Sequence, residues 1–182
     1  ALASICLAAS VANAKQFKLA FFQAGDYAPF SAVQTSFDRT LTLLLPSDTT
    51  FQFQASAFRS AEWNRDSSRA KARQLAARKD IDLVITIGPW VTEDLLEAGY
   101  TGPMIALGRT DPFLEGLSDS TYRPNYRNLT VQATPNKVEN DIALLYRLKP
   151  FKKLGMLFFP TGMDSSRLLS RVESICQSLG AA

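Results

Sequence analysis

"IDLVITIGPWVTEDLL", residues 81–96, decides the fold: it begins as a strand and finishes as a helix. Residues 81–87 are nearly all β-branched or aliphatic, as in a central strand covered on both faces. Gly88, Pro89 and Trp90 make the join, and the following helix runs to Gly99, a natural C-terminal stop. Gly88 lets a ligand approach the backbone, and Pro89 suits a first helical position because its missing N–H has no helical partner. The amides of Trp90, Val91 and Thr92 are then expected to be free at the helix end, where the dipole favours an anion. The Trp90 indole would add a flat wall. Glu93 and Asp94 in the first turn carry the competing reading, because acids there simply complement the dipole.

The same strand-then-helix order recurs on both sides. "FKLAFF" (17–22) reads as a buried strand, and Phe30, Val33, Phe37 and Leu41 follow at helical spacing behind Pro29. "FQFQASA" (51–57) alternates strictly, which marks a half-buried strand near a sheet edge. Residues 62–79 are expected to be a basic helix with Ala72, Leu75 and Ala76 inward. Its Arg69, Lys71, Arg73, Arg78 and Lys79 scatter around the helix and read as a solvated face. "PMIAL" (103–107) and "RNLTVQA" (127–133) are further strands. Thr134 and Pro135 should open a helix with Val138, Ile142, Leu145 and Leu148 on one face. "LGMLFF" (154–159) reads as another strand. A last helix should bury Leu168, Leu169, Val172, Ile175, Cys176 and Leu179. This alternation implies right-handed βαβ crossovers and an α/β fold on a mostly parallel sheet covered on both faces.

In such sheets ligands lie beyond the carboxyl ends of the strands. Four joins qualify: "FFQAGDYAPF" with Gln23, Asp26 and Tyr27; the opening stretch; "ALGRTDPF" with Thr110 and Asp111; and "FFPTGMDSSR". In the last, Thr161 and Ser165 offer hydroxyls, Asp164 an ammonium partner or a plain N-cap, and Gly162 backbone access. The bland readings are a helix cap at 161–165 and a simple Asp-Pro turn at 110–112.

Composition narrows the function. The chain has 182 residues, 46% hydrophobic and 20% charged, with a net charge of +3. The charge is too small and too mixed to argue for nucleic acid. The absence of histidine excludes Ser-His-Asp and Cys-His catalysis and removes the commonest metal ligand. With no G-x-G-x-x-G, P-loop or G-x-S-x-G, an enzyme is disfavoured, and no cofactor or metal is expected. "ALASICLAASVANA" (1–14) reads as the apolar region and A-x-A site of a signal peptide, its basic start absent. Cleavage would remove Cys6 and leave Cys176 as a core residue without a disulfide partner. No other apolar run is long enough to span a membrane, so a periplasmic location is expected.

"LGRTDPFLEGL" followed by "YRPNYRNLTV" resembles the ABC transporter substrate-binding proteins of the tryptophan/tyrosine-binding type, in which a strand leads into a Thr-Asp-Pro turn and an Arg-Pro-Gly-Gly-Asn-x-Thr-Gly stretch. The likeness runs from about Phe17 to Leu179 and includes Gln23, "DLVIT" and "LLYRLKPFKKLGMLFFP". Asn125-Tyr126 replaces the Gly-Gly pair, Val131 the later glycine, and Gly88-Pro89-Trp90 a small Thr/Ser-Pro turn. The resemblance implies a type I periplasmic binding fold: a first α/β lobe at 15–133 and the beginning of an incomplete second lobe at 134–182. It implies capture of a small amino-acid-like or carboxylate solute for an inner-membrane ABC permease. Lobe one would contribute Gln23, Tyr27, Gly88, Pro89, Trp90, Val91, Thr110 and Asp111, and lobe two Thr161, Gly162, Asp164 and Ser165. The same lobes could instead serve as the extracytoplasmic ligand-sensing module of a bacterial signalling receptor.

Overall fold

The computed structural model describes residues 15–134, 136–157 and 165–181. Five strands form one sheet: β1 (Lys15–Gln23), β2 (Thr49–Ser60), β3 (Leu83–Ile87), β4 (Met104–Arg109) and β5 (Leu129–Ala133), in the order β2-β1-β3-β4-β5. Every pairing is parallel. The "LVITI" run is therefore the middle strand, as its composition requires, and the alternating "FQFQ" run is an edge strand. The register Leu19↔Leu83 through Gln23↔Ile87 brings the carboxyl ends of β1 and β3 level.

Side-chain alternation along the strands builds two layers. Ala20, Phe22, Val84, Met104, Ala106 and Leu129 form a core with Ala72 and Leu75 of α2 (Arg65–Ala76) and Val91 and Leu95 of α3 (Val91–Glu97). On the other face Phe21, Ile85 and Ile87 meet Phe30, Val33 and Phe37 of α1 (Ala28–Leu44). Pro29 sits in the first turn of α1, as its preset φ allows. Helix α3 ends at Gly99, whose φ of 80° and N–H to Leu96 O close it as expected.

Coverage of the two faces is unequal. Helix α1 is the helix packed on its side, and it buries no residue completely. An apolar groove of about 480 Å³ lies beside it, lined among others by Val33, Phe37, Ile87, Leu107 and Gln132. This is sheet surface that a single helix does not reach, and it is lined by no charged side chain.

A second, smaller core joins α4 (Lys137–Leu148) and α5 (Ser165–Ser178) to the turn after β4, through Leu114, Ile142, Leu168, Val172 and Cys176. Cys176 is buried there as a small hydrophobe.

Five local expectations are corrected. Helix α2 starts at Arg65 rather than 62, because Glu62 and Trp63 adopt positive φ and the Asn64 side chain caps Ser67 N at 2.9 Å. Helix α4 starts at Lys137 behind a left-handed Asn136, so Thr134 does not cap it, while Pro135 lies outside the described residues. Of the expected inner stripe of α4, Val138 and Ile142 join the core but Leu145 and Leu148 are exposed, because the buried face continues through Tyr146 instead, at i+4 spacing. Residues 154–157 form no strand and are not part of the sheet; residues 158–159 lie outside those described. Leu169 of α5 is likewise exposed.

Candidate functional site

The strand tips converge at one rim, and backbone hydrogen bonds tie them together. Ala24 N donates to Ile87 O at 3.0 Å, Ala61 N to Gln23 O at 2.9 Å and Trp63 N to Ala24 O at 2.8 Å. The loops after β1, β2 and β3 are thus one surface. Among the described residues, five non-glycine residues have positive φ, and three of them lie on this rim: Glu62 (57°), Trp63 (57°) and Trp90 (53°). Such conformations cost of order 1–3 kcal/mol each and persist only where the surroundings enforce them.

The first join carries most of the exposed chemistry. Gln23 is buried and donates Nε2 to Asp26 Oδ1 at 2.8 Å, and Ser60 Oγ donates to the same oxygen at 3.2 Å. Trp63 Nε1 donates to the Asp26 carbonyl at 3.3 Å. The Tyr27 ring meets Phe30 edge-on at 5.2 Å and Trp63 at 6.5 Å. Tyr27 (54% exposed) and Trp63 (49%) nevertheless face solvent. The indole lies across Gly25, and a Cβ there would overlap it.

The middle join is packed rather than open. Gly88 has φ 97°, and a Cβ on it would stand 2.7 Å from Ala24 Cβ and 3.0 Å from the Phe30 ring. Only glycine fits this close approach without strain. Trp90 is half-buried against the α2–α3 core, and its Nε1 has no partner. The indole expected as a rim wall therefore belongs in part to the core. Val91 N is not free, since it donates to Pro89 O at 2.7 Å. Thr86 and Thr92 share a buried hydroxyl hydrogen bond of 2.8 Å that pins the strand to the helix.

Arg109, at the end of β4, locks this turn from below. Its Nη1 donates to Gly88 O at 2.8 Å, Nη2 to Glu93 at 2.5 Å and Nε to Glu115 at 2.7 Å. Burial works to lower the Arg109 pKa, but Glu93 and Glu115 outweigh it, so the net shift is upward and the guanidinium stays charged. Burial raises the Glu115 carboxyl despite that guanidinium. Glu93 is therefore an ion-pair partner under the turn as well as a first-turn acid.

Thr110 is exposed on the rim. Asp111 is buried: its Oδ1 accepts from Phe113 N and Leu114 N, both at 3.1 Å, and its Oδ2 pairs with Arg171 of α5. Arg171 also pairs with Glu139 of α4, so one guanidinium ties the β4 turn to both following helices. Thr161, Gly162 and Asp164 lie outside the described residues, and Ser165 opens α5. The structure thus brings Gln23, Tyr27, Gly88, Pro89 and Trp90 to one rim, beside Thr110.

The sequence reading passed over Trp63, Ser60 and Arg109. "SAEWNRD" (60–66) is a strand–helix join like the others, but starting the helix at 62 hides it. Arg109 follows a run of strand residues and gives no signal of burial.

Comparison with known proteins places this geometry. A family model described as ABC transporter substrate binding protein matches residues 50–178. No curated protein matches. Among solved structures, the ABC domain from Streptococcus pneumonia in complex with L-Trp is 19% identical with a TM-score of 0.71, over 92% of this chain and 56% of that one. A conserved domain protein from Vibrio cholerae is 20% identical with a TM-score of 0.71, over 92% and 55%. The ligand-free, open form of a substrate-binding protein with adhesive properties from Clostridium difficile is 18% identical with a TM-score of 0.63, over 91% and 55%. The chain spans little more than half the length of each of these structures.

Proposed function

Because this chain belongs to the ABC transporter substrate-binding protein family, we propose that its rim of strand tips is one wall of a cleft that captures a small solute for a membrane permease. The observation that carries this reading is the convergence of the β1, β2 and β3 loops on one surface through backbone hydrogen bonds, with three strained residues lying there. Parallel α/β sheets bind ligands at this edge.

The solute is amino-acid-like or another small carboxylate. Support comes from the similar structure crystallised with L-Trp and from the mixture of aromatic and polar groups on the rim. Residues 15–133 act as the first lobe, and 134–182 begin the second, which supplies Thr161, Gly162, Asp164 and Ser165 to the facing wall. The first lobe supplies Gln23, Tyr27, Gly88, Pro89, Trp90, Val91, Thr110 and Asp111. The roles differ: Gly88 and Pro89 shape the wall, Gln23 and Asp111 hold neighbouring groups in place, and Tyr27 and Thr110 reach the solute. Closure of the lobes would be favoured by solute contacts made to both. Such proteins work outside the cytoplasm, so the site of action is the periplasm, reached through the signal peptide at 1–14. No described helix is long and apolar enough to cross a membrane.

Calorimetry of the full-length mature protein against an amino-acid panel tests the reading. One panel member should bind with saturable heat, and Trp90→Ala combined with Thr161→Ala should weaken it. An unchanged titration would remove the site assignment, and no heat with any member would remove the solute class.

A further inference from the structure

The corner formed by Asp26, Tyr27 and Trp63 has a chemistry of its own. Both hydrogen bonds to the Asp26 carboxylate, from Gln23 and Ser60, go to Oδ1. Both donors are neutral, and no cation among the described residues pairs with Asp26. The second carboxylate oxygen, Oδ2, is left unengaged on an exposed residue. The Trp63 indole N–H is already used on the Asp26 carbonyl, so what the ring offers a ligand is its π surface. Tyr27 adds a second ring at 72° to the first, with centroids 6.5 Å apart.

Holding this corner open has a conformational cost. Glu62 and Trp63 both sit at φ 57°, and the indole needs Gly25 beneath it. Lys71 pins the segment by bonding Ser60 O at 2.5 Å and Glu62 at 2.6 Å. Two large rings are thereby kept about half exposed beside a carboxylate, where burial against each other would remove more apolar surface from water.

We propose that Asp26, Tyr27 and Trp63 form a cation-binding corner that receives the ammonium group of the captured solute; the assignment to that solute rests on the reading of the rim as a capture cleft. A carboxylate accepts a charge-assisted hydrogen bond from an ammonium, and the ring faces attract the same positive charge. A metal ion is not the fit, because one carboxylate flanked by rings lacks the oxygen ligands a hard cation needs.

The test uses the full-length protein, uniformly ¹⁵N-labelled, with methylammonium chloride as the probe, a cation that keeps its N–H donors, and sodium chloride at equal concentration as the control. Trp63→Phe assigns the indole signals. The expected result is a saturable shift of the Trp63 indole N–H with the organic cation only, weakened about tenfold or more in Asp26→Asn. An equal response to sodium chloride, or an unchanged response in Asp26→Asn, overturns the corner. A circular-dichroism melt confirms that Asp26→Asn is folded, and Tyr27→Ala gives a second route to the same loss. If an amino acid binds while the Trp63 signal ignores methylammonium, the corner is wrong and solute capture stands. If the corner responds but no amino acid binds, the amino-acid reading is the one that fails.

Discussion

Replacing Arg109 with methionine probes the support under the Gly88 turn. The side chain is 4% exposed, and its two carboxylate partners Glu93 and Glu115 are 15% and 9% exposed. Removal leaves two acids and the Gly88 carbonyl without their shared donor. Breaking a buried pair by deleting one partner costs about 3–5 kcal/mol, and here one cation serves two anions, so the upper half of that range is expected. The loss should depend on pH. Burial already raises the Glu115 carboxyl, with Arg109 opposing. Without Arg109 the folded-state value rises further above the unfolded one. A raised carboxyl favours the fold while it is protonated, and that benefit is lost as pH rises through the folded value. The variant should therefore be less destabilised at pH 5 than at pH 8. Urea unfolding at both pH values reads this directly. Combining Arg109→Met with Glu93→Met and Glu115→Met should restore most of the stability, since an apolar replacement strands no charge. A loss below about 1 kcal/mol at both pH values would refute the reasoning.

Three further outcomes follow from single residues. Gly88→Ala should destabilise by about 2–5 kcal/mol in urea unfolding, from strain at φ 97° and overlap with Ala24 Cβ, and should also weaken solute binding. Asp80, hydrogen-bonded by Arg78, should titrate at about 2 by carboxyl NMR, and Arg78→Gln should return it toward 3.8. Because its folded value is the lower one, this pair's contribution is present above pH 4 and lost as pH falls toward 2. Arg171→Met should leave the buried Asp111 carboxylate short of its ion partner, costing about 3 kcal/mol by thermal melting, whereas Arg147→Met on exposed α4 surface should cost little.

The sheet was legible because each strand has a composition that only one environment satisfies. "LVITI" has no polar face and occupies the centre, while "FQFQ" has one and occupies the edge. Helix starts were harder to read. Propensity allows a helix through Glu62 and Trp63, and only the tertiary bonds of Ala61 and Trp63 to the β1 tip force those residues into the left-handed region. That misplaced boundary is also why Trp63 was passed over at the rim. Trp90 shows the reverse problem: its position beside Gly88 suggested a ligand wall, but the fate of a large side chain at a join depends on which core it can reach. Arg109 was invisible for the same reason that most buried ions are. Its partners lie 16 and 6 residues away and converge only when β4 meets α3 and the following turn.

The most direct measurement is a structure of the full-length protein with its captured solute bound. The account expects the solute at the carboxyl ends of the strands, touching Asp26, Tyr27 and Trp63 on one side and Thr110 on the other. A solute seated at the amino ends of β1 and β3, or in the apolar groove beside α1 with the strand tips empty, would contradict it.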